Sequence, residues 1–161
     1  MKLYLVRHAI AESAAASDAE RALTEEGKDK MRRAAQGLRA IDVSLDLLLT
    51  SPLRRARETA EILAETLRAQ VRVLEELASG ADPRLVLGAL RPYHDRSALA
   101  LVGHEPDLGK LASVLLAGSP TTCPLPFKKG GVACFDGELL PGTQRVELEW
   151  FLTPKQLRTL A

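Results

Sequence analysis

No stretch of this chain approaches the ~18 to 20 consecutive apolar residues of a bilayer-spanning helix, which argues against an integral helical membrane protein. Net charge is equally scarce. The 22 lysines and arginines stand against 21 aspartates and glutamates, and a formal charge of +1 speaks against bulk binding to nucleic acid or to an anionic membrane. Any anion site must therefore be local. Cysteine is limited to two residues, Cys123 and Cys134, whose spacing suits no metal, so free thiols in a reducing compartment are expected. Internal repeats, low-complexity tracts and Pro/Gly-rich linkers are missing as well, as is a basic leader with an apolar core and cleavage site. The expectation is one domain over residues 1–161, soluble and cytoplasmic. What is present, 46% apolar and 27% charged residues over 161 positions, is enough to build a sizeable core.

The chain is organised around its first strand. Leu3-Tyr4-Leu5-Val6 is apolar and rich in strand formers, so Lys2 to Val6 reads as a buried strand delivering Arg7 and His8 to its carboxyl end. In open α/β sheets ligands bind at that edge. On these residues alone, a polar strand terminus and an anion site are equally good descriptions. Ile10 to Glu20 is a small, polar loop, and Thr24 suits the cap of a helix carrying Met31, Ala34, Ala35, Leu38 and Ile41 at helical spacing. Leu45 to Leu49 is a second strand. Ser51 and Pro52 then suit the cap and first turn of a helix that opens with Arg54, Arg55 and Arg57. A helix N-terminus is already positive, so three arginines there are unfavourable unless an anion is bound nearby.

Val71 to Leu74 is a third strand, Asp82-Pro83 starts a short helix through about Leu90, and Ser97 to Val102 is a fourth strand ending at His104. Asp107 to Leu116 is a helix closed by Gly118. These repeated strand-loop-helix units predict a three-layer α/β/α sandwich, a mostly parallel sheet with helices on both faces and the loops of interest on one edge. Gly130 to Phe135 and Gln144 to Thr153 suggest an antiparallel hairpin about an Asp136-Gly137 turn, with Val146, Leu148, Trp150 and Leu152 alternating with polar residues. Pro154 opens a terminal helix. Lys128 and Lys129 read as solubilising loop residues, and His94 as exposed and uninvolved.

Three loops thus contribute Arg7 and His8, Arg55, and His104. With these residues the chain resembles the histidine phosphatase superfamily, the phosphoglycerate mutase-like proteins. The matching stretches are Leu5-Val6-Arg7-His8-Ala9, the arginine helix from Ser51 to Ala60, and Val102-Gly103-His104, with Arg21 to Gly27 resembling the segment before the family's first helix. Order and spacing cover about residues 1 to 109, and the lack of large insertions is most similar to the SixA-type phosphohistidine phosphatases. Ala9, Glu58 and Glu105 depart from the family's commoner residues, and a carboxylate at 105 is expected to raise the pKa of His104 or to weaken anion binding.

The resemblance implies a metal-independent, cofactor-free phosphatase that forms a covalent phosphohistidine. His8 would be the nucleophile, Arg7 and Arg55 the clamp on the phosphoryl oxygens, and His104 a further donor; Arg21 is a candidate substrate contact. Glu75 and Glu76 stand roughly where larger relatives place a leaving-group acid, though strand-end solvation describes them better. A phosphoramidate asks less of such an acid than an alkoxide does, which favours a phosphohistidine substrate. The expected partner is a phosphorylated protein, such as a phosphorelay histidine domain, or a small phosphorylated molecule. A metabolite phosphatase and a non-catalytic phosphate-binding module are the competing readings.

Overall fold

The computed structural model describes residues 1–138 and 145–161. Six strands form one sheet in the order β3-β2-β4-β1-β5-β6. They are β1 (Lys2–Arg7), β2 (Leu47–Thr50), β3 (Gln70–Val73), β4 (Ala98–Gly103), β5 (Val132–Glu138) and β6 (Arg145–Leu152). The first four in chain order run parallel, whereas β5 pairs antiparallel with both β1 and β6. Helices α1 (Glu25–Ala40), α2 (Arg54–Leu67) and α5 (Pro154–Thr159) cover one face, and α3 (Pro83–Ala89) and α4 (Asp107–Ala117) the other. The expected α/β/α sandwich with a mostly parallel sheet is the observed fold.

Period-two alternation divides the strands between the layers. Tyr4, Val6, Leu48, Ala100 and Val102 face the α1/α2/α5 side, while Leu3, Leu5, Leu49, Leu99 and Leu101 face the α3/α4 side. Every residue of β4 is buried, as a central parallel strand covered on both faces must be. Thr24 caps α1 by accepting the Gly27 N–H at 2.9 Å, Asp82 caps α3, and Gly118, with φ 71°, ends α4. Ile41 lies beyond the end of α1 and is 37% exposed, so it is no part of the buried stripe.

Three local expectations are corrected. Helix α2 starts at Arg54 with Leu53 as its cap, because the Ser51 hydroxyl accepts the Leu53 N–H at 3.2 Å in a tight turn and is used elsewhere. Asp136 and Gly137 are strand residues, not a turn: they continue the pairing of β5, and Asp136 is held by Lys2 at 3.0 Å. Gln144 lies outside the described residues. In β6 the register slips by one residue opposite Cys134/Phe135, so Glu149 goes unpaired. The slip exchanges the faces, placing Trp150 and Leu152 on the α1 side and Val146 on the α4 side, with Leu148 exposed at 37%. Cys123 is an exposed and Cys134 a buried free thiol, the latter pushed up to about 12 by burial. No described helix is long and apolar enough to cross a membrane.

Candidate active site

The carboxyl ends of β1, β2 and β4 lie side by side, with Arg7 in register with Gly103 and Thr50 with Val102. Whatever follows these strands is therefore brought together. Arg7 ends β1, and His8 continues the sheet by donating its backbone N–H to Gly103 at 3.0 Å. His104 follows β4, and its ring centroid stands 5.2 Å from that of His8. Arg55 enters from the first turn of α2. His8, Arg55 and His104 are 5%, 5% and 3% exposed, a degree of burial that excludes solvated surface residues.

Each side chain is held by a definite partner. His8 Nδ1 lies 2.7 Å from the Ala9 carbonyl. A carbonyl only accepts, so Nδ1 carries the hydrogen and Nε2 keeps a free lone pair. Arg7 donates through Nη1 to the Phe127 carbonyl at 2.7 Å. Arg55 donates Nη1 to the Asp18 carbonyl at 2.8 Å and Nη2 to the Asp18 carboxylate at 3.1 Å. His104 Nε2 lies 2.7 Å from Ser51 Oγ. Among the described residues, three buried nitrogens, Arg7 Nε, Arg55 Nε and His104 Nδ1, are left without partners, as is one buried acceptor, Glu105 Oε1. Buried polar groups are nearly always paired, so three orphaned nitrogens around one pocket mark a place for an acceptor.

The electrostatics point the same way. Burial first, then His104, Arg55 and Arg7, hold His8 down to about 3; burial, then Arg55 and Arg7, hold His104 down to about 4. Both rings are neutral at pH 7. Of the two arginines beside these neutral imidazoles, only Arg55 forms an ion pair among the described residues, with the 61%-exposed Asp18 carboxylate, which leaves a positive pocket suited to an anion. Among the described residues no cluster of His, Cys, Asp and Glu offers a metal cradle.

Arg7, His8, Arg55 and His104 are thus brought together as the sequence suggested, and Arg21 is not. Its guanidinium binds the Glu12 carbonyl at 2.7 Å and Asp18 at 3.0 Å, so it reaches Arg55 only through Asp18. Glu75 and Glu76 are exposed in a short turn after β3. His94 is exposed and bound to the Arg91 carbonyl. Glu105 does not raise the pKa of His104. Its own carboxyl is lifted by burial, against the pull of the Phe127 N–H, Arg7 and the Gly109 N–H, so it belongs to the surroundings of Arg7. Glu58 accepts the Leu23 N–H at 2.7 Å and pairs with Arg54 at 2.9 Å, tying the β1–α1 loop to α2.

Three supports escaped the sequence reading. Ser51 had looked like a helix cap but holds His104. Asp18, inside an unpatterned polar loop, gives no local signal of its grip on Arg55. Thr59 accepts the Ala9 N–H at 3.0 Å and donates to the Arg55 carbonyl at 2.7 Å. Its position four residues after Arg55 puts it on the same helical face, a spacing from which it was findable.

Fold and pocket define an α/β sandwich protein with a buried anion pocket of two histidines and two arginines. The description "Histidine phosphatase superfamily (branch 1)" matches residues 3–79. Phosphohistidine phosphatase SixA of Escherichia coli K12 is 32% identical over 122 residues, covering 73% of this chain and 76% of that protein. An uncharacterized protein of Picosynechococcus is 39% identical over 140 residues, 82% of each. The chain belongs to the histidine phosphatase superfamily, in its SixA branch, and is a phosphatase. A solved structure of protein histidine phosphatase SixA with tungstate superposes with a TM-score of 0.87 at 28% identity, over 98% of this chain and 99% of the other. The α-ribazole phosphatase of Shigella flexneri shares the fold at 18% identity and a TM-score of 0.73, over 96% and 97% of the two chains.

Proposed function

We propose that this phosphatase removes the phosphoryl group from phosphohistidine in a protein, without a metal, through a covalent phosphohistidine on His8. The observation that carries the covalent step is the 2.7 Å contact of His8 Nδ1 with the Ala9 carbonyl, which leaves Nε2 unprotonated inside a cationic pocket. Arg7 and Arg55 grip the non-bridging oxygens, Nε2 attacks phosphorus in line, and the bond from phosphorus to the substrate nitrogen breaks. Water then attacks phosphorus from the vacated side and regenerates His8.

His104 acts as a third donor. The Ser51 hydroxyl accepts from Leu53, donates to His104 Nε2 and leaves Nδ1–H for a phosphoryl oxygen. Arrival of a dianion offsets the field of Arg55 and Arg7, so His104 gains a proton more readily in the complex than in the empty pocket. Glu75 and Glu76 are exposed in the short turn after β3, and a phosphoramidate leaving group departs without a strong acid. The tungstate bound to the SixA relative is a tetrahedral oxyanion, in keeping with such a pocket.

Steady-state assays in EDTA test this reading, comparing a phosphohistidine protein, a phosphoserine peptide and sugar phosphates. The phosphohistidine protein is expected to be the best substrate, and His8→Ala to lose roughly three orders of magnitude in rate or more. Faster turnover of small alkyl phosphates would refute the substrate assignment, and activity independent of His8 the covalent one.

A further inference from the structure

Next to the His8 motif lies a cavity of about 140 Å³ that the phosphoryl chemistry leaves unused. Its floor is apolar, made by Met31 and Ala34 of α1 and Pro154 of α5, and its rim is cationic, with Lys129, Lys155 and Arg158. Lys129 and Lys155 are exposed and form no ion pair among the described residues. Lys30, also at the rim, is paired with Glu26. In a chain of net charge +1, this is a local surplus of cations around an apolar depression.

Two lining residues, Ala9 and Gly130, join the cavity to the catalytic strand end. Gly130 donates its N–H to the carbonyls of both Arg7 and His8 at 3.1 Å. A Cβ on Gly130 would stand 3.5 Å from Pro154 Cβ and 3.7 Å from Met31 Sδ. A small phosphorylated molecule gripped by Arg7 and Arg55 has no need of this surface, whereas a folded substrate presenting a side chain to His8 must lie over its surroundings.

We infer that the cavity docks the phosphorylated protein itself, taking one apolar side chain of a surface segment whose flanking residues are acidic. The inference rests on the phosphoprotein reading above. Charge complementarity selects this occupant: the lysine rim repels basic segments and attracts carboxylates, while the floor rewards a single buried aliphatic group. Exposed cations are screened by salt, so docking is weak and salt-sensitive, which permits release of the dephosphorylated protein.

The test is the double charge reversal Lys129→Glu/Lys155→Glu, which leaves the His8 pocket untouched. On an acidic phosphohistidine protein, kcat/KM is expected to fall roughly tenfold through KM, with the wild-type salt dependence lost, while p-nitrophenyl phosphate turnover stays within about twofold. Equal losses on both substrates, or no loss on either, would overturn the docking site. So would a change in sedimentation on charge reversal, since the occupant would then be a second copy. Fluorescence anisotropy with a labelled acidic peptide carrying one central leucine separates this inference from the reading beneath it. Peptide binding to wild type that the double variant abolishes supports the docking site even if the phosphohistidine protein proves a poor substrate. Absence of binding removes it even if that protein is turned over.

Discussion

Two neutral imidazoles whose rings stand 5.2 Å apart, buried beside two arginines, carry a cost that shows itself in acid. His8 and His104 titrate near 3 and near 4 in the folded chain, against 6.5 when exposed. Their folded values are depressed, so as pH falls below 6.5 the unfolded chain takes up protons that the folded chain refuses. Stability is full above about 6.5 and declines toward 4, each ring costing up to about 1.4 kcal/mol per pH unit. The urea midpoint is therefore expected to drop between pH 7 and pH 4.5. In His104→Asn the drop is shallower, because one of the two titrations is gone. An identical pH profile in that variant would contradict the assignment of a neutral, buried His104. The same residue-scale economy explains Ser51: a hydroxyl that sequence patterns assign to a helix cap instead joins the Leu53 N–H to the His104 ring.

At the scale of elements, the fit of α5 against α1 depends on one missing side chain. A Cβ built on Gly37 would meet the Leu157 carbonyl oxygen at 1.9 Å, which is backbone and has no rotamer by which to give way. Helix propensity alone favours alanine over glycine by about 1 kcal/mol inside a helix. The contact reverses that sign. Gly37→Ala is expected to lower the urea midpoint and to loosen α5, seen as faster amide exchange from Leu157 to Thr159. A variant more stable than wild type would show that the two helices separate freely. Because α5 supplies Pro154, Lys155 and Arg158 to the cavity beside the His8 motif, the same substitution disturbs the proposed docking surface.

Over the whole molecule, the site exists because β4 lies between β2 and β1. Leu101 is fully buried in that strand, beside Leu5 and Leu49. Leu101→Ala is expected to cost about 2 to 5 kcal/mol, the range for emptying a leucine site in a close-packed core. Since the three strand ends hold His8, Ser51 and His104 jointly, phosphatase activity and helical circular dichroism should be lost at the same urea concentration. Activity that disappears while the dichroism persists would show that the site melts apart from the sheet.

Much of this was legible in the chain. Strand identity followed from Leu3-Tyr4-Leu5-Val6 and its counterparts, because the buried strands of a covered parallel sheet leave near-continuous apolar runs. Arg7, His8, Arg55 and His104 were legible because each sits at a fixed offset from a strand end or helix start. Arg21, Asp18 and the β6 register were not. Asp18 meets Arg55 from 37 residues away across an unpatterned loop, and its capture of Arg21 depends on the course of that loop. The slip at Glu149 leaves the alternating letters unchanged while reversing which face they occupy. The sequence by itself determined the layered fold and which residues that fold gathers at the candidate site, since both are written in local spacing and apolar pattern. Only the tertiary structure decided the protonation states and supporting contacts of those residues, because burial and nonlocal hydrogen bonds arise from neighbours that no local pattern names.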